Sequence, residues 1–157
     1  MEPLSTVDIN HILMNNSVTS RHFIGTYPAC VLPKSRRKQY SFITNVDAHD
    51  EQGQHWTAWS VKNDTVSFFD SFGRKYDDET LPTYFSDIVD LFDGVTYSTR
   101  RVQSWTSVTC GHFSIHFLYL MSLGLDYSYF LNEYSINFEK NDEIVNVFFD
   151  PSVCECM

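Results

Sequence analysis

The stretch Cys110–Leu123, CGHFSIHFLYLMSL, decides the architecture. Phe113, Ile115, Phe117, Leu118, Leu120 and Met121 cover nearly the whole circumference of a helix. A helix with no wide polar face is buried on most sides. Gly124 follows directly, where a left-handed C-cap costs least, and sets the end. The apolar segment is too short to span a bilayer and carries His116 and Ser122. It predicts the central helix of a packed core.

Upstream, the pattern changes to that of strands. Tyr40–Val46 (YSFITNV), His55–Val61 (HWTAWSV) and Thr65–Phe72 (TVSFFDSF) are rich in β-branched and aromatic residues. Lys62-Asn63-Asp64 is a short hairpin-like link between the last two. Alternation puts His55, Thr57, Trp59 and Val61 on one face, and Val66, Phe68 and Asp70 on one face of the next strand. Leu81–Phe92 has helical spacing and stops at Gly94, Val95–Val102 predicts a strand, and Gln103–Thr109 a Ser/Thr-rich loop. Gly25–Lys38 and Asp47–Gly53 predict surface loops, and Tyr127–Ile136 and Asp142–Phe149 shorter helices behind the central one. The order is that of an α+β fold, a mixed or antiparallel sheet packed on a central buried helix.

A chain of 157 residues, 43% hydrophobic and 16% aromatic, fits one domain with a sizeable core. About 20 N-terminal and 5 C-terminal residues of that domain are expected to be flexible. The net charge of −9 and pI of 4.9 argue against a nucleic-acid partner. The one dense basic run, Lys34 to Lys38, predicts a solvated loop. No membrane segment is predicted. Four cysteines (Cys30, Cys110, Cys154, Cys156) are too few and too uneven for a disulfide framework, which points to a reducing intracellular compartment.

Cys110 opens the central helix, with Thr109 as the expected N-cap. A thiol attacks only as thiolate, and a helix N-terminus favours that charge. Gly111 removes a side chain beside the sulfur and lets a substrate backbone approach. Taken alone, a cysteine on an apolar helix is commonly a core residue. The functional reading rests on three further residues. His55 begins a strand after a polar turn, beside the large ring of Trp56, and supplies a base. Asp70 ends the adjacent strand among phenylalanines, where a carboxylate needs a partner. With the hairpin closing at residues 62–64, positions 55 and 70 lie at the same open end, as a thiol–imidazole–carboxylate triad requires. Gln103, seven residues before Cys110, can join the Cys110 backbone N–H in an oxyanion hole.

The segments GQHW (53–56), FFDSFG (68–73) and VQSWTSVTCGHF (102–113) together resemble the adenovirus protease (adenain) family. FIGTYPACVLP (23–33) resembles its N-terminal region. The order His, Asp, Gln, Cys-Gly is also that of the ubiquitin-like-protein-specific (SUMO) proteases. The resemblance implies an adenain-like cysteine protease fold and a thiol endopeptidase, with catalytic Cys110, His55, Asp70 and Gln103. It also implies Trp56 and Gly111 lining a narrow substrate groove. The implied partner is a polypeptide with Gly near the scissile bond, a viral precursor or a ubiquitin-like modifier, in host nucleus, cytoplasm or virion. No cofactor is implied.

The resemblance does not extend to adenain's DNA binding or its disulfide-linked activating peptide. The present chain is acidic and has no cysteine between Cys30 and Cys110. Removal of a ubiquitin-like modifier is the main alternative. Acyl transfer to Ser, Thr or Lys ranks below hydrolysis, as does an inert binding module. His112 and His116 stand at i and i+4, but no Glu follows His112 and no third ligand is evident, so no metal is predicted.

Overall fold

The computed structural model describes residues 2–31, 33–46 and 55–149. The polar turn expected at 47–53 and the C-terminal cysteines lie outside the described residues. Five strands form one mixed sheet in the order β1 (Phe23–Tyr27), β2 (Gln39–Asn45), β3 (Trp56–Lys62), β4 (Thr65–Phe69), β5 (Gly94–Thr96). β2–β3 and β3–β4 are antiparallel, while β1–β2 and β4–β5 are parallel. Helices cover both faces. This is the α+β architecture with a mixed sheet and a central buried helix.

Strand alternation sorts the side chains into two cores. Ile43, Trp56, Ala58 and Phe69 face α3 (Cys110–Ser122), while Phe42, Trp59, Val61, Val66 and Phe68 face α2 (Tyr84–Val89). Ten of the thirteen residues of α3 are buried, as its all-round apolar sequence requires. Both faces of β3 are therefore covered, and the strand carrying the site is central and rigid.

The β3–β4 link is tighter than the sequence suggests. Only Asn63 and Asp64 turn, both at positive φ (49° and 64°), the geometry of a two-residue hairpin loop whose twist matches its strands. That loop fixes the register. Counted on from the pair Ala58–Phe69, His55 falls opposite Phe72.

Several expected boundaries shift. The N-terminal segment contributes to the core. Thr6–Asn15 forms α1, with Ile9 and Leu13 wholly buried, and Ser5 and Asp8 make a reciprocal capping box at its start. Phe23–Tyr27 pairs as β1, although its second half was expected to be loop. The strand expected at Val95–Val102 is only three residues long. The Phe68 carbonyl, which points toward β5, accepts instead from the Tyr127 hydroxyl at 2.7 Å, so the ladder does not continue. The last helix, α5 (Phe138–Phe148), starts four residues earlier than expected because Asn137 caps it through Lys140 N. The helix before it, α4 (Tyr127–Asn132), and α2 are shorter than their apolar spacing indicated.

β4 also stops sooner, at Phe69, because Asp70–Gly73 is a turn closed by Gly73 N donating to the Asp70 carbonyl at 2.8 Å. Gly73 has φ +75°, and a Cβ there would lie 2.6 Å from Arg101 N and 2.7 Å from the Arg100 carbonyl carbon. Neither backbone atom can yield without moving the chain that leads to Gln103. Gly73→Ala is expected to destabilise the fold by about 3 kcal/mol or more, from combined strain and overpacking. Urea unfolding measures it, and a loss under about 1 kcal/mol would contradict the close approach.

Candidate active site

His55 directly precedes β3, Asp70 directly follows β4, and Cys110 opens α3, so one end of the sheet gathers all three. The Asp70 carboxylate accepts a hydrogen bond from His55 Nε2 at 2.6 Å. A carboxylate only accepts, so Nε2 carries the proton and Nδ1 is left to meet the sulfur. The Cys110 side chain is hydrogen-bonded to this imidazole. Phe72 lies nearly parallel to the imidazole, with ring centres 4.5 Å apart and planes 12° apart, and shields it from water.

The charges are set by this packing. Burial alone would lower the basicity of His55. The hydrogen bonds and charges of Asp70 and Cys110 outweigh it, and the group is raised to about 9. Burial would likewise push the Asp70 carboxyl up, yet His55 and Arg74 together hold it below the usual carboxylate range. His55 is thus a cation at neutral pH, between the Asp70 carboxylate and the Cys110 sulfur.

Arg74 was not foreseen from sequence. Its Nε donates to Asp70 Oδ2 at 2.6 Å and its backbone N–H to the same oxygen at 3.3 Å, while Phe72 N donates to Oδ1 at 3.1 Å. Asp70 is 2% exposed and its carboxylate is fully engaged, which makes its burial tolerable. A cation four residues beyond a buried acid, across a Gly-containing turn, is the sequence signal that identifies such a partner.

Gln103 is buried and its amide orientation is fixed. The Ser71 hydroxyl donates to Oε1 at 2.5 Å, and Nε2 donates to the Ser107 carbonyl at 3.0 Å. A carbonyl cannot donate, so the amino group must face Ser107, and its second N–H can still donate to another acceptor. The backbone is held as firmly. Val102 N and Gln103 N both donate to the Ser71 carbonyl, and buried Asn141 donates to Val102 O at 2.9 Å. Ser71, the residue after Asp70, thereby ties Gln103 to the same turn.

Thr109 occupies the N-cap position of α3, but its side chain does not cap. The hydroxyl donates to Asp142 Oδ1 at 2.7 Å instead and pins α5 to the start of α3. The expected cap side chain is therefore not spent on the first-turn N–H groups, whose dipoles favour negative charge at the Cys110 end.

The two residues expected to line the groove are placed differently. Trp56 is 2% exposed, and its indole Nε1 donates to the Leu4 carbonyl at 3.0 Å. A buried indole N–H needs an acceptor, and the segment leading into α1 supplies it. A Cβ on Gly111 would meet Trp56 Cδ1 at 3.2 Å and Leu4 Cβ at 3.3 Å. Gly111 therefore permits close packing of Leu4 and Trp56 rather than opening space to solvent. His112 packs its edge against Phe149, and His116 bonds through Nδ1 to the Tyr134 hydroxyl. Burial lowers both to about 4, so they are neutral core residues at physiological pH.

No protein-family model and no curated protein matches the sequence. Among solved structures, the crystal structure of ASFV pS273R protease superposes with a TM-score of 0.61 at 14% identity over 91% of the chain. The chain spans 66% of that protein's length. A selenomethionine crystal structure of the same protease matches 69% of the chain and 43% of its own, with a TM-score of 0.47 and 16% identity. The first match shows that the chain has the fold of a viral protease.

Proposed function

We propose that the protein is a thiol endopeptidase in which Cys110 is the nucleophile, His55 its acid–base partner, Asp70 the orienting carboxylate and Gln103 an oxyanion donor. The observation that carries this reading is the continuous hydrogen-bonded chain Cys110–His55–Asp70–Arg74 at the N-terminus of a buried helix. The sulfur, as thiolate, adds to the carbonyl carbon of the scissile peptide. The carbonyl oxygen takes the displaced electron pair and meets the Cys110 N–H and Gln103 Nε2. Collapse re-forms the carbonyl and breaks the C–N bond, and His55 protonates the leaving amine. The resulting thioester is hydrolysed by a water whose proton returns to His55, releasing the acid and the thiolate.

The substrate is a polypeptide with Gly on the acyl side. Cys110 is only 6% exposed, so a large side chain on the attacked residue would be hindered. Viral-type precursors and ubiquitin-like modifiers both offer such a Gly, and the motif resemblance favours the precursors. A panel of Gly-containing precursor-type peptides and ubiquitin-like conjugates separates them.

Activation of the sulfur has its own test. Iodoacetamide at pH 7 is expected to modify Cys110 about 10-fold faster than Cys30, although Cys30 is the exposed one. His55→Ala should remove that excess. Slower labelling of Cys110 than of Cys30, mapped by mass spectrometry, would identify Cys110 as an inert core residue.

A further inference from the structure

We infer that Trp105 forms the wall of the subsite for the substrate residue on the leaving-group side of the scissile bond, and that this subsite selects a large apolar side chain. The inference rests on the hydrolytic reading, because it is His55 that delivers a proton to the leaving amine. What lies beside the imidazole therefore lies beside the leaving residue. Phe72 stacks on His55, and Trp105 packs on Phe72 with ring centres 4.8 Å apart. Trp105 is the next ring outward from the base.

Its exposure is the anomaly. Trp105 is 64% exposed, whereas Trp56 and Trp59 are 2% and 0% exposed. A solvated indole contributes little to folding, yet this one is held in place. Ser107 N closes a turn onto the Ser104 carbonyl at 3.2 Å, and Gln103 Nε2 holds the Ser107 carbonyl. The Arg101 guanidinium lies 4.3 Å from the Trp105 ring and 3.9 Å from the Phe138 ring, so its position is itself fixed by α5. An aromatic ring prepositioned at the mouth of a site gives contact area with little ordering cost on binding. The Gln103 side chain is bonded to that same turn, so a side chain seated on Trp105 also sets the register of the carbonyl against Gln103.

Three short peptides that differ only in the residue after a central Gly (Phe, Leu or Ala) test this. Wild-type kcat/KM is expected to fall from Phe to Ala by about 10-fold, Trp105→Ala to lose about 10-fold on the Phe peptide and under about 2-fold on the Ala peptide, and Trp105→Phe to restore most of the difference. A second readout needs no turnover. In the Cys110→Ala protein, acrylamide quenching should report Trp105 above all, since the other two indoles are buried, and saturating Phe peptide should suppress it more than Ala peptide does. Equal losses on all three peptides would show a merely structural Trp105 and overturn the proposal. So would quenching that the Phe peptide leaves unchanged. Suppressed quenching without any Cys110-dependent cleavage would retire the hydrolytic reading while supporting Trp105 as a peptide-binding surface.

Discussion

Cys110→Ala is expected to lower turnover on the cleaved members of the peptide panel by about 10⁴-fold or more while leaving the protein folded. No neighbouring group can replace the sulfur, because the other nucleophilic side chains near the head of α3 are committed elsewhere. The Thr109 hydroxyl donates to Asp142, and the Ser71 hydroxyl to Gln103. The structural cost is small. The position lies in the first turn of a helix, alanine is the better helix former, and a single buried sulfur is lost, so about 1 kcal/mol is the expected penalty. Cys110→Ser should be almost as inactive, since a hydroxyl beside the same imidazolium stays protonated. Initial rates and a urea midpoint measured on the same preparation decide the matter. Retention of more than about 1% of the wild-type rate, with the fold intact, would remove Cys110 from its role.

His55→Ala is the second large effect, expected at about 10³-fold, and its signature lies in the pH profile. In the wild type the imidazole is cationic up to about 9, so the proton needed by the leaving amine is present at neutral pH. Activity should fall as pH rises through that value. The variant should show only its residual rate and no limb near 9. Removing one partner of a buried charge pair often costs about 3–5 kcal/mol, because the other charge is stranded. Here Arg74 and the Phe72 N–H still hold the Asp70 carboxylate, so a loss of about 1–2 kcal/mol is expected. Full activity in His55→Ala, or an unchanged alkaline limb, would show that another group moves the proton.

Much of the arrangement was legible because chemistry and topology constrain the same residues. The apolar circumference of residues 110–123 could only be a buried helix, and a hairpin closing near 63 had to bring 55 and 70 to one end. The parts that were missed depend on partners distant in sequence. Ser71 and Asn141 are polar residues in a turn and on a helix with charged neighbours, and nothing local distinguishes them from surface positions until the groups they engage are in place. Trp56 was read as groove lining because only tertiary packing reveals its bond to Leu4. The Val95–Val102 segment has strand composition throughout, but its ladder yields to a tyrosine hydroxyl thirty-one residues beyond Thr96. The α1 cap was different. Ser5 and Asp8 ahead of Ile9 spell a helix start by local rule alone.

The contact between Leu4 and the Trp56–Gly111 pair has a practical side. An affinity handle or fusion partner attached ahead of residue 2 would leave the molecule only a few residues from the contact beside Cys110. Two preparations of one sequence, differing only in what precedes residue 2, could then disagree in rate while agreeing in stability, and the discrepancy would belong to the handle.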